Sequence, residues 1–324
     1  MSTTVCRICE NSENNRLHRA REMMFGTRDE FDYAECGKCG TIQIVNIPEL
    51  GPYYPPDYLA FHGEDPLRKN FLLRMAARRA GRFIVYGDDL IGRLIVKALP
   101  QIAVAFEPSV RQPPLSLNFD SRILDFGGGS GRLLLALRAF GFRDLTGADA
   151  FISGDIHYPS GVSVYKKGLR EFESEFDLIM LHHSFEHLPD PNETLSEIRR
   201  LLSPGGYCLI RIPVVNFAWE KYGVDWVQMD PPRHLFLYTE EALRSLVTAA
   251  GFEVVKVQYD STSFQFWGSE QYRLDIPLFG EKESNGFAPI ERFTAARLRS
   301  WDAEAAALNK TGRGDAACFY IRPV

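Results

Sequence analysis

Histidine is the side chain whose charge changes close to neutral pH, and four of the chain's seven histidines fall in two short runs. The first is His182-His183-Ser-Phe-Glu186-His187-Leu-Pro-Asp-Pro, and the second is Pro-Pro-Arg-His234. Such rings can take a proton from a hydroxyl, so His187, His234 and His183 are candidate general bases, with His187 first because Glu186 adjoins it. If their segment is helical, His183 and His187 share a face and Glu186 can orient one ring. The glutamate does not stand in the His-Glu-x-x-His position, which removes a zinc-protease reading. Each of these histidines also has a structural reading, as a capping or core residue.

Two further sets of residues have spacing that implies chemistry. Cys6-x-x-Cys9 and Cys36-x-x-Cys39 form two hooks that can present four thiolates tetrahedrally to Zn²⁺, and a closed four-sulfur site is structural because it leaves no position for a substrate. The separation of the hooks exceeds the usual range, and residues 25–33 are expected to supply strands between them. The other set is Ile-Leu-Asp125-Phe-Gly127-Gly-Gly129-Ser-Gly131-Arg-Leu, which reads as a buried strand, a tight turn and a helix over 132–139. Its glycines let a ligand approach the backbone, and the N–H groups opening the helix add partial positive charge. A nucleotide-like ligand is expected there.

Spacing then narrows the ligand. A dinucleotide fingerprint requires Gly-x-Gly-x-x-Gly, but Arg132 stands where its last glycine belongs. The glycines fall at every second residue instead, and the run resembles the first motif of class I S-adenosylmethionine-dependent methyltransferases. The resemblance implies that Asp125, Gly127, Gly129 and Gly131 wrap the amino acid end of S-adenosylmethionine. An acidic residue about 20 positions past such a turn can accept both ribose hydroxyls, which points to Asp149, with Ala150 beside it. In this family the loop holding Lys167, Gly168 and Leu169 contacts adenine, although an aspartate common there is absent. His182 is expected to line the cofactor, and Leu202-Ser-Pro-Gly-Gly matches the family's turn into its fifth strand. Similar cysteine-hooked methyltransferases decorate sugars of bacterial surface polysaccharides, which implies a small polar acceptor, a sugar or nucleotide-linked sugar of a bacterial glycan, with a non-sugar metabolite as the alternative.

Around these motifs the alternation of elements predicts an α/β, Rossmann-like sheet with helices on both faces, a small amino-terminal zinc ribbon and a carboxyl-terminal helical insertion. The strands are expected at 144–149, 162–165, 176–182, 207–213 and 316–322, with a sixth around 251–257. Helices are expected at 193–202 and 240–250. Residues 1–50 read as the ribbon, 51–115 as a connector, and 116–324 as the cofactor-binding domain, with an insertion over 260–315 carrying a helix over 289–308. Within the connector, 48–58 reads as an ordered proline-tyrosine linker and 66–82 as a basic amphipathic helix. Residues 83–107 read as strand, helix and strand, a half-Rossmann insert.

The chain's 324 residues and 45% hydrophobic content suffice for a large core. A net charge of −5 offers no broad basic surface, so no nucleic-acid partner is expected. The amino terminus lacks an apolar signal core and no run approaches the ~20 apolar residues of a bilayer span, so a cytoplasmic location is expected. Two rival classes stand beside the enzyme. A catalytically silent methyltransferase fold that binds partners need not retain both the glycine turn and Asp149. A nicotinamide oxidoreductase fails on the glycine spacing.

Overall fold

Alternating polar and apolar residues pair the first two strands, β1 (Arg16–Arg21) and β2 (Glu30–Glu35), into an antiparallel hairpin, and the fully buried β3 (Ile42–Ile44) adds to it. Of the strands expected within 25–33, β2 takes up 30–33, whereas β1 lies before that stretch and β3 beyond it. The computed structural model describes residues 4–54, 70–99, 109–110, 114–279 and 292–324. Of the expected linker, Gly51–Tyr53 forms a 3₁₀ turn, and 55–58 lie outside the described residues.

In the connector, the first of the two strands expected over 83–107 is replaced by helix, while the helix expected between them is present. Helix α1 (Phe71–Tyr86) runs through the first of those strands and stops at Gly87, whose left-handed conformation (φ 73°) closes the helix. The buried positions Ala77, Ala80, Gly81 and Val85 show why: they keep helical spacing. Helix α2 (Leu90–Ala98) follows, with Asp89 accepting a hydrogen bond from the Gly92 N–H as its cap. Gly92 matters for a second reason, because a Cβ there would lie 2.0 Å from the Arg79 carbonyl oxygen. The two helices therefore pack as a close hairpin; the strand expected over 102–107 lies outside the described residues, as does the start of the helix expected from 66.

The main sheet is built from β4 (Arg122–Phe126), β5 (Asp144–Ala148), β6 (Ile156–His157), β7 (Ser163–Tyr165), β8 (Phe176–His182), β9 (Leu202–Pro213), β11 (Phe252–Tyr259) and β12 (Ala316–Pro323), where β10 (Phe236–Leu237) is reserved for the ribbon. Its order is β11-β12-β9-β8-β4-β5-β7-β6. Strands β7, β5, β4, β8 and β9 are parallel, and β12 runs antiparallel to both neighbours. Helices α3 (Arg132–Phe140), α4 (Pro191–Leu201), α5 (Phe217–Tyr222), α6 (Glu240–Ala249), α7 (Phe264–Arg273) and α8 (Ala295–Lys310) complete the chain. Among the described residues, region 260–315 thus carries two helices, the second beginning at Ala295.

Strand β8 shows how both faces are covered. Leu178 and Met180 enter the core shared with Ala77, Ala80 and Leu134, while Ile179 and Leu181 enter the core shared with Leu195 and Ile198. A strand buried on both sides must be apolar at every position, as this one nearly is. Because β4, β5 and β8 are parallel and adjacent, Phe126, Ala148 and His182 end on the same edge of the sheet.

The ribbon is welded to this sheet by the segment before α6. Strand β10 pairs with β3, making the ribbon a four-stranded sheet in the order β1-β2-β3-β10. The Arg233 guanidinium is fully buried and donates to Glu22 of the ribbon at 2.9 Å and to Asp230 at 3.0 Å. Arg233 is therefore a structural clamp between the ribbon and the loop before β10. Tyr33 donates its hydroxyl proton to the His234 carbonyl at 2.9 Å. Arg233→Ala takes the cation away from the fully buried Glu22 and the half-buried Asp230, and chemical denaturation is expected to show a loss of about 3–5 kcal/mol.

Candidate active site

At the carboxyl end of β4 the chain turns through Gly127, Gly129 and Gly131, all at positive φ, into α3. Gly127 has a further constraint, since a Cβ would sit 2.4 Å from Ser184 Cβ at the end of β8. The turn walls a cavity of about 330 Å³ lined in part by Asp125, Gly127, Asp149, Ala150, His182 and Phe151. Asp149 is fixed by the loop it faces: its carboxylate accepts from Gly129 N–H at 2.9 Å and Phe151 N–H at 2.8 Å. Asp125 is 1% exposed, and its Oδ1 has no hydrogen-bond partner among the described residues. Burial, with the Asp149 charge adding to it, pushes the Asp125 carboxyl up to about 7. Burial likewise holds His182 down to about 3, a neutral ring whose Nε2 lies 3.0 Å from Ser109 Oγ.

A second cavity, of about 360 Å³, lies beyond the histidines. Asp230, Asp260, Asp315, Arg211, Gln228 and Gln265 are among its polar walls, and Met24, Val227, Phe264 and Leu278 its apolar ones. Arg211 is paired with Asp260 at 2.6 Å, and Trp226 donates to Asp315 at 2.9 Å. His183 and His187 line both cavities, so the two spaces meet at these rings. His234 lines only the second.

The histidine run is not an α-helix. His183 stands at φ 50°, and Phe185–His187 make one 3₁₀ turn, which brings the imidazoles around the fully buried Glu186. His183 Nδ1 is 3.5 Å from Glu186 Oε1, and His234 Nε2 is 3.8 Å from the same oxygen. Burial pushes the Glu186 carboxyl up, but the three imidazoles overcome it and hold the group below its usual value. Burial lowers the His187 ring, and the His234 charge adds to the effect.

The cysteine hooks converge at the far side of the ribbon. Cys6 and Cys39 Sγ are 3.7 Å apart and Cys9 and Cys36 Sγ 3.5 Å apart, and all four sulfurs lie within 4.8 Å of one another. The Lys38 and Cys39 N–H groups both point at Cys36 Sγ, each at 3.4 Å. Within the coupled pair, a hydrogen bond from Cys6 lowers the Cys39 thiol, the pattern of a shared proton between crowded sulfurs.

Comparison with known proteins decides the family. The methyltransferase domain family matches residues 90–257. This chain belongs to it. The enzyme is similar to the ubiquinone biosynthesis O-methyltransferase of Maricaulis maris (strain MCS10), at 27% identity over 50% of this chain and 71% of the relative. It is also similar to the ubiquinone biosynthesis O-methyltransferase of Cereibacter sphaeroides (strain ATCC 17025 / ATH 2.4.3), at 30% identity over 48% and 68% respectively. Among solved structures, the cyclopropane synthase MmaA2 of Mycobacterium tuberculosis aligns with a TM-score of 0.42 at 14% identity, over 78% of this chain and 98% of that one. The chain is thus an S-adenosylmethionine-dependent methyltransferase with a Rossmann-like sheet.

Within this methyltransferase the residues expected at the cofactor do not all meet. Asp125, Gly127, Asp149, Ala150 and His182 line the first cavity, and Gly129 anchors Asp149. Gly168 and Leu169 are not among its lining residues: Leu169 packs in the core and the Gly168 N–H is taken by Glu171 at 2.7 Å. Sequence reasoning missed Asp230, Arg211, Asp260 and Asp315, which come from four separate segments and match no motif. No helix among the described residues is long and apolar enough to cross a membrane.

Asp125 also sets a pH dependence. An aspartate in the unfolded chain loses its proton near pH ~4, whereas this one keeps it to about 7 when folded, so the folded state holds the extra proton in between. Stability conferred by that proton is lost as pH rises through this window. Without cofactor, Asp125→Asn is expected to lose less of its melting temperature than wild type between about pH 5 and pH 8, as read by scanning calorimetry.

Proposed function

We propose that the enzyme transfers a methyl group from S-adenosylmethionine to a hydroxyl of a small polar acceptor, a sugar or nucleotide-linked sugar. One observation carries the reading: the two cavities adjoin at His183 and His187, so groups held on either side face each other there. The first cavity fits the cofactor's charge, because the buried Asp125 oxygen without a partner suits a cation and Asp149 retains lone pairs for ribose hydroxyls. When bound, S-adenosylmethionine supplies a methyl whose S–C bond breaks as the O–C bond forms, leaving neutral S-adenosylhomocysteine. The enzyme's own task is alignment and exclusion of water.

The proton of the acceptor hydroxyl needs a base. Of the histidines, we assign this to His183, which is open to both cavities and has Glu186 beside its Nδ1. Carboxylates and amides around the second cavity favour a polyhydroxylated acceptor, and the O-methyltransferases matched above favour oxygen as the methylated atom. A second reading, an acceptor of ubiquinone biosynthesis like that in the relatives' names, is favoured by the apolar wall of Met24, Val227, Phe264 and Leu278.

The four thiols fit Zn²⁺ by the same kind of test. A tetrahedron with Zn–S bonds of ~2.3 Å has edges of ~3.8 Å, close to the sulfur separations of 3.7 and 3.5 Å. Cys6, Cys9, Cys36 and Cys39 would hold the ion, which cross-links the two hooks and thereby supports the His234 segment packed on the ribbon.

Three outcomes follow. Asp149→Ala is expected to weaken S-adenosylmethionine binding by about 1.5–3 kcal/mol in calorimetry, the scale of lost hydrogen bonds to a charged group. His183→Ala is expected to slow release of S-adenosylhomocysteine ~10²–10⁴-fold on a panel of nucleotide-sugars with cofactor affinity nearly intact; turnover confined to ubiquinone-type acceptors would select the second reading. Replacing Cys36 and Cys39 together is expected to remove one zinc per chain by elemental analysis and to unfold the ribbon.

A further inference from the structure

Glu186 is the most enclosed acid of the active site and the least satisfied. It is 0% exposed, and neither carboxylate oxygen has a hydrogen-bond partner among the described residues. Burying an anion costs several kcal/mol unless donors or a cation meet it. The groups closest to hand are imidazoles, and two of them are turned so that they cannot donate to it. His187 Nδ1 lies 2.8 Å from the Arg233 carbonyl, with the Tyr54 hydroxyl farther off at 3.4 Å, and His234 Nδ1 lies 2.7 Å from the Gln228 carbonyl. A carbonyl only accepts, so each Nδ1 carries its ring's proton and each neutral ring presents a lone pair at Nε2. One nitrogen from each ring and one Glu186 oxygen come within 4.8 Å of one another. His183 Nδ1 stands 3.5 Å from Glu186 Oε1 and can donate towards that oxygen, but among the described residues Glu186 Oε2 and the two Nε2 lone pairs meet no donor, a set that calls for a positive charge. An imidazole tied through its other nitrogen to a backbone carbonyl is also how proteins orient metal ligands.

We propose that Glu186, His187 and His234 hold a divalent first-row cation where the cofactor and acceptor cavities meet. Two imidazoles and one carboxylate suit Mn²⁺, Fe²⁺, Co²⁺ or Zn²⁺ and disfavour Mg²⁺ and Ca²⁺, which take oxygen ligands. Metal bonds of ~2.1 Å allow ligand atoms to stand at most ~4.2 Å apart, so the trio closes by roughly half an ångström around the ion. The coordination positions left open face the second cavity, which His187 and His234 both line. There the cation binds an acceptor oxygen and weakens its O–H bond, and His183 takes the released proton. The methyl transfer keeps its electron balance and no redox step is involved. This role for the ion rests on the methyl-transfer reading above, whereas the site itself does not.

The test measures binding without turnover. The full chain is stripped of metal, given one equivalent of Zn²⁺ to fill the thiolates, and titrated with Co²⁺. One Co²⁺ per chain is expected, with weak d–d absorption and no thiolate charge-transfer band. Glu186→Gln and His234→Gln are each expected to weaken Co²⁺ binding by more than the ~100-fold that loss of an outer partner can cost. Retained S-adenosylmethionine binding shows that each variant is folded. Asp149→Ala, which weakens cofactor binding, is expected to bind Co²⁺ like wild type, so failure of the metal site and failure of the methyltransferase reading separate. A wild-type chain that takes up no cation beyond the ribbon's, or folded Glu186→Gln and His234→Gln chains that bind it as tightly as wild type, would overturn the proposal.

Discussion

The buried ion pairs of Arg233 hold the two sheets of this protein in one frame. A guanidinium with no exposure is tolerated only because Glu22 comes from the ribbon and Asp230 from the loop before β10, so that neither partner can move without stranding a charge. Burial pushes the Asp230 carboxyl up and the Arg233 charge overcomes it, which keeps the pair ionised. Because His234 follows Arg233 directly, the clamp also fixes the ring at the second cavity. Strand β10 then completes the ribbon's sheet by pairing with β3. A structural unit built around cysteines thus forms part of the wall that positions the active-site histidines.

Charge organises the rest of the site. Asp125 on one side and Glu186 on the other are enclosed carboxylates with unpartnered oxygens, and each faces a place where a cation is expected. For Asp125, in the proposed methyl transfer, that cation is the cofactor's amino acid end, a role that would account for a destabilising group at the end of a core strand. Preorganised, underpaired charge lowers stability in the empty protein and strengthens binding when the ligand arrives. The glycines serve the same end by sterics, since Gly127 leaves room for Ser184, whose hydroxyl donates to the Phe126 carbonyl at 2.7 Å and locks the two strand ends together.

The connector shows where local sequence misleads. Residues 83–87, Phe-Ile-Val-Tyr-Gly, are β-branched and aromatic enough to read as a strand, yet they close a sixteen-residue helix. Propensity is weak beside packing, and Ala80 and Gly81 let this helix lie directly on α3: a Cβ on Gly81 would come 2.2 Å from the Phe140 carbonyl oxygen. A short apolar run cannot report such a neighbour.

What the sequence determined by itself was everything written in local periodicity and spacing. The apolar run of β8, the glycine turn after β4, Asp149 beyond it and the paired cysteine hooks each carry their meaning within a few residues, because strand burial, left-handed turns and thiolate hooks are local demands. Only the tertiary structure decided which of the histidines share a space, that Arg233 is a clamp, and that Gly168 and Leu169 are not among the residues lining the first cavity. It also assembled the second cavity from Asp230, Arg211, Asp260 and Asp315, and left Glu186 enclosed among three imidazoles. Those outcomes depend on which strand ends and loops the sheet order brings together, and contacts between segments far apart in the chain leave no periodic signal in either one.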